Sequence, residues 1–179
     1  PKDLLSVAEQ NSLLNIKTNK DHLAIRNKCM ALIILAGALF AEEVVWLPKS
    51  GLNLDDGYID VNEENNRARR VKLDLELCED ICTKWLSVRD SFSNGISCQQ
   101  LFVTKKGTPL TKRMLYKIIT QCLIGAGIKK KRLGPEVLRQ TAICNMVRQG
   151  FTLEEIQANT GLTTVGNIAK YKLVVNDVK

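Results

Sequence analysis

Apolar residues recur at helical spacing through most of this chain, and strict alternation replaces that period in one window only. Ser6-x-x-Glu9 has the form of a capping box and predicts a short helix to about residue 17. Asp21 is placed to cap a longer helix over 22–40, where Leu23, Arg26, Met30, Ile33 and Ile34 repeat every three or four residues. From Cys29 to Phe40 this helix is apolar on every side, which predicts that it runs through the middle of the fold. A short helix over 41–47 follows and Pro48 stops it.

Between residues 51 and 75 the period falls to two. Leu52 to Leu54, Tyr58 to Val61 and Arg67 to Leu73 alternate around the turn signals Asp55-Asp-Gly57 and Asn62-Glu-Glu-Asn-Asn66. They predict three short antiparallel strands. The third has Arg67 and Arg69 on one face and Arg70 and Lys72 on the other. An amphipathic helix over 75–89 comes next, then a loop, a short strand at Leu101, Phe102 and Val103, and a basic turn at Lys105 and Lys106. Helices over 111–126, 135–150, 154–159 and about 164–174 complete the chain. Helices, a small antiparallel sheet and helices again make an α+β, mainly α, fold without βαβ alternation.

The length of 179 residues suits one domain, which can bury roughly 70% of its unfolded surface without a disulfide or a metal. With 26 Lys plus Arg against 19 Asp plus Glu, the net charge of +7 favours a polyanion partner, nucleic acid first. The six cysteines are scattered without a CxxC pair, and His22 is remote from all of them in sequence, so reduced thiols are expected rather than a zinc site. The longest apolar run is too short to span a bilayer and nothing resembles a secretory signal. No Gly-rich phosphate loop or Ser/His/Asp arrangement is present. The chain begins at Pro1, so excision from a longer protein with an amino-terminal DNA-binding region is expected.

A set of motifs in fixed order resembles the catalytic domain of tyrosine recombinases, the phage integrases. They are Arg26-Asn27 before the apolar helix, Gly37 with Glu42 and Trp46, and Leu101-Phe with Gly107-Thr-Pro-Leu-Thr111. Gly127-Ile128, Leu138-Arg139-x-Thr-Ala142, Gly150-Phe-x-Leu-x-x-Ile156 and Gly161 follow, with Tyr171 last. The resemblance implies a single such domain over 1–179, acting on double-stranded DNA in the cytoplasm or nucleoid, with no cofactor, metal or membrane. Oligomers on DNA are implied too. In that family a tyrosine hydroxyl attacks a DNA phosphodiester, guanidinium groups clamp the non-bridging oxygens and a lysine protonates the leaving oxygen.

Carried over by position, Arg139 is similar to the family's second arginine and Tyr171 to its nucleophile. The other positions depart. Leu39 stands for the first arginine, Glu64 for the hairpin lysine, Glu136 and Gln140 for the imidazoles flanking Arg139, and Leu162 for a later histidine. A leucine cannot neutralise a phosphate and a glutamate repels one. DNA-phosphate contacts are expected from Arg67, Arg69, Arg70, Lys72, Lys105, Lys106, Lys129, Lys130, Lys131 and Arg132. Three functions remain open at this level. They are a DNA-binding relative with impaired cleavage, an active recombinase in which Arg67 or Lys72 completes the clamp, and a non-enzymatic architectural or interaction module.

Overall fold

The first helix, α1 (Val7–Leu14), begins where the capping box places it. Ser6 Oγ accepts from the Glu9 amide at 3.1 Å, and a Glu9 carboxylate oxygen accepts from the Ser6 amide at 2.8 Å. The computed structural model describes residues 3–62, 68–92, 97–162 and 165–176. Helix α2 (His22–Gly37) is capped by Asp21, whose carboxylate accepts from the amides of Leu23 and Ala24. Every residue from Cys29 to Gly37 is buried, as a helix apolar on all sides requires.

Helix α2 ends three residues earlier than its hydropathy suggests. Ala38 takes a left-handed conformation (φ 53°) and closes the helix on the Ile34 carbonyl. Gly37 lies so near the sheet that an added Cβ would sit 3.1 Å from both Val71 and Leu73. The chain then turns into α3 (Ala41–Trp46), with the Phe40 amide donating to the Glu43 carboxylate at 2.8 Å.

Strands β1 (Leu52–Asn53), β2 (Tyr58–Val61) and β3 (Arg69–Lys72) form an antiparallel sheet in that order, Leu52 opposite Ile59 and Ile59 opposite Val71. Ile59 and Val71 are fully buried. Because side chains alternate, Arg69 shares the inward face with Val71, whereas Arg70 and Lys72 face solvent. Helices α4 (Leu75–Val88), α5 (Lys112–Gly125), α6 (Pro135–Arg148), α7 (Leu153–Thr160) and α8 (Val165–Asn176) follow. Helix α2 packs most extensively on α4 and α6 and also touches α5. Thr111 caps α5 and a Thr152–Glu155 capping box opens α7.

The strand expected at residues 101–103 does not form. Only isolated bridges join Pro48 to Gln100 and Val103 to Pro109. Long-range side chains take its carbonyls instead. Trp85 Nε1 donates to Leu101 O at 3.0 Å, Arg89 Nε donates to Gln100 O and Leu101 O, and Arg26 donates to Val103 O at 3.0 Å. All six cysteines are free thiols, with Cys29 Sγ and Cys82 Sγ 3.5 Å apart in the core between α2 and α4. Among the described residues no helix is long and apolar enough to cross a membrane.

Arg69 and Glu43 form a buried bidentate ion pair at 2.6 and 3.0 Å, with side chains 8% and 2% exposed. Removing one partner leaves the other charge uncompensated in the interior. Glu43→Gln is therefore expected to destabilise the fold by about 3–5 kcal/mol in urea denaturation, with Arg69→Met in the same chain recovering part of the loss.

Candidate phosphate-binding site

The end of α2, the start of α3, strand β3 and helices α6 to α8 converge on one guanidinium. Arg139, on α6, is 2% exposed. Its Nη1 donates to the Ala38 carbonyl at 3.5 Å and its Nη2 to the Thr160 carbonyl at 3.4 Å, both at the long limit of a hydrogen bond. Nε has no hydrogen-bond partner. The flat face of the guanidinium lies 3.6 Å from the centre of the Phe40 ring. A desolvated cation on an aromatic face is stabilised by about 2 kcal/mol, which offsets part of what burial removes. Burial pulls the pKa of Arg139 below the ordinary arginine range, against the nearby acids Glu136 and Glu43.

Leu39 is 1% exposed in the core, and its neighbour Phe40 is the side chain on Arg139. The residue in contact with Arg139 is Phe40, because the left-handed Ala38 turns the chain so that residue 39 points inward. An aromatic ring therefore lies against the Arg139 guanidinium.

Tyr171, on α8, is 9% exposed and packs towards α6. Burial first, then the Glu136 carboxylate, pushes its phenol up to about 12, and the Arg139 charge opposes the rise only partly. Arg139, Glu136 and Tyr171 thus share one electrostatic environment. The phenol is nonetheless biased against ionising. No imidazole stands beside it. His22, the single histidine, bonds Ser91 at the opposite end of α2, roughly 22 Å along the helix axis from the site. Glu136 is exposed and accepts from Gln140 at 3.3 Å. Leu162 is half-buried just beyond Gly161, the left-handed residue that ends α7.

The cations divide into two groups. Arg69 was expected on a DNA phosphate but is internal: its Nε donates to the Asn159 carbonyl at 2.9 Å and its other nitrogens pair with Glu43. Gly161 leaves room for it, since a Cβ there would meet its Nη1 at 3.1 Å. Lys130 is likewise half-buried and paired with Glu9 at 3.0 Å. Arg70 is exposed, paired with Asp60 at 2.9 Å and stacked on Tyr58. Lys72 is exposed, with its ammonium 5.7 Å from the Phe151 ring centre. Lys105, Lys106, Lys129, Lys131 and Arg132 all face solvent. Lys131 and Arg132 border a cleft of about 480 Å³ together with Asp3, Glu136, Val137 and Gln140. Arg67 and Glu64 lie outside the described residues. No cluster of acids, thiols or imidazole suited to a metal ion occurs among the described residues.

Sequence reasoning missed Phe40 and Glu43 as members of this site. The available signal was the spacing from Glu43 back to Phe40, which puts both at the start of one helix.

Tyr58, Tyr116 and Tyr171 are the three tyrosines of the chain. In an absorbance titration of the phenolate band, one of them should ionise near 12, and Tyr171→Phe should remove that step. Below the ordinary phenol range both states keep the proton and the group contributes nothing to pH dependence. As pH rises from 10 through 12 the unfolded phenol ionises first, so stability falls across that window.

The family model described as "Phage integrase family" matches residues 4–175. The chain is 29% identical over 177 residues to "Tyrosine recombinase XerD" of Yersinia pestis, covering 99% of this chain and 59% of that protein. It is 29% identical over 171 residues to the protein of that name from Oceanobacillus iheyensis, covering 94% of this chain and 57% of that one. Among solved structures, the crystal structure of XerA recombinase superposes with a TM-score of 0.81 at 24% identity, covering 94% of this chain and 59% of that one. XerH site-specific recombinase, bound to its palindromic difH substrate, gives 0.81 at 21% identity over 97% of this chain and 50% of that one. The chain therefore spans little more than half the length of the relatives it matches. With a family model covering nearly all of its length, this chain belongs to the phage integrase family of tyrosine recombinases.

Proposed function

We propose that this chain is the DNA-holding catalytic-domain portion of a tyrosine recombinase relative whose strand cleavage is impaired. The observation that carries this reading is the Phe40 ring stacked on the Arg139 guanidinium, with Glu136 beside it and a Tyr171 phenol that resists ionising. A phosphate approaching Arg139 meets an aromatic face and a carboxylate where cationic donors are required. Loss of one preorganised donor lowers such rates roughly 10²–10³-fold, and several are altered together here. Effects within one catalytic unit do not add simply, so the result is a large loss rather than a product of factors.

Binding is less affected than chemistry, because it draws on distributed cations. The net charge of +7 and the exposed Lys105, Lys106, Lys129, Lys131 and Arg132 support a phosphate-contacting face for double-stranded DNA. Assembly of several copies on DNA is part of this reading, supported by the palindromic substrate of the XerH relative. Action in integration or site-specific recombination follows from the family, with this chain positioning DNA.

Duplex affinity should fall steeply with salt, and Lys131→Gln with Arg132→Gln should make the log–log slope shallower by roughly 2. Duplex binding absent at low salt would overturn the DNA-holding reading. With a nicked suicide duplex, no covalent protein–DNA adduct should accumulate. An adduct that forms and disappears in Tyr171→Phe would establish an active recombinase instead.

A further inference from the structure

Two large aromatic side chains stand in solvent beside the Arg139 site. Trp46 is 59% exposed at the end of α3, and Tyr116 is 44% exposed on α5. One ion pair links their helices: Lys112 Nζ bonds the Glu42 carboxylate. Glu42 lies one helical turn before Trp46 and Lys112 one turn before Tyr116, so each acid or base shares a helix face with its ring. The Lys112 ammonium is 5.8 Å from the centre of the Tyr116 ring. The Glu42–Lys112 pair thus ties the two helices into one ribbon, with Trp46 one turn from the acid and Tyr116 one turn from the base.

Cations flank its Tyr116 end. Arg113 and Lys117 are exposed on the same helix, and the acid of the ribbon, Glu42, is paired with Lys112. The ribbon also adjoins the site already described. A Cβ at Gly134, the residue before α6, would lie 3.9 Å from the Tyr116 ring, and Trp46 shares a hollow with Glu43 and the β2 residues Asp60 and Val61. Burying an indole is among the larger gains open to a fold, yet this one is left in water.

Phosphates alone do not call for aromatic faces, and a duplex hides its base faces within the stack. Unpaired bases are the nucleic-acid component that such rings bind, while neighbouring cations follow the backbone. Resting on the nucleic-acid reading above, we infer that the Trp46–Tyr116 ribbon stacks unpaired bases and binds single-stranded DNA in preference to an equally charged strand without bases.

The intact chain carries its own reporter, because the other tryptophan, Trp85, is fully buried. Oligothymidylate should quench Trp46 fluorescence, and an abasic deoxyribose-phosphate oligomer of equal length should not. By anisotropy of a labelled oligothymidylate, Trp46→Ala and Tyr116→Ala should each weaken binding about tenfold. Trp46→Phe should retain most of the affinity, and both alanine variants should bind duplex as the parent does. Equal affinity for oligothymidylate and the abasic oligomer, or unchanged affinity in both alanine variants, overturns the stacking inference while leaving phosphate contact intact. Binding to none of duplex, abasic strand or oligothymidylate overturns both. Oligothymidylate bound without duplex supports the ribbon and overturns the duplex reading.

Discussion

A guanidinium kept out of water organises one side of this molecule. Arg139 is almost wholly buried, with two long hydrogen bonds to carbonyls, one unpartnered nitrogen and an aromatic face as its main contact. A charge in that condition tolerates little displacement, because each surrounding group supplies part of what water would give. The two carbonyls come from chain reversals, at Ala38 beyond α2 and at Thr160 at the end of α7, and the ring comes from the cap of α3. Placing one side chain therefore ties together segments more than a hundred positions apart.

The buried Arg69–Glu43 pair performs a related task beside it. Arg69 reaches inward because the register of β3 makes it a neighbour of Val71, and Gly161 leaves the space it occupies. Its charge is matched by Glu43 within the fold. The hairpin thus contributes one arginine to architecture and leaves Arg70 and Lys72 at the surface. A site with two arginines in proximity has only one, Arg139, whose guanidinium is not already paired with a carboxylate. Its exposed approach is shaped by Phe40 and Glu136.

This arrangement separates holding a polyanion from cutting it. Holding needs many cations in loose geometry at high dielectric, and Lys105, Lys106, Lys129, Lys131 and Arg132 are exposed. Cutting needs a few donors fixed to within about half an ångström around a single phosphate. On the proposed reading, substitution at a handful of positions impairs the second capacity and scarcely touches the first. The exposed rings of Trp46 and Tyr116 add aromatic faces to the surface.

The Ser6–Glu9 capping box, the alternation around Ile59 and Val71 and the apolar run of α2 are all legible in the chain itself, because each depends on residues a few positions apart. The order of motifs likewise singles out Arg139 and Tyr171 in the chain itself. Residues 101–103 read as a strand locally, yet their carbonyls are taken by Trp85, Arg89 and Arg26 from distant helices, which no local pattern announces. Arg69 and Lys130 read as surface cations until Glu43 and Glu9 were brought against them. Whether Leu39 or Phe40 meets Arg139 turned on one left-handed residue after α2. The sequence by itself determined most of the elements, since periodicity and caps are short-range. Tertiary structure alone decided which charges stay free, because pairing and burial depend on neighbours that the chain brings together only when it folds.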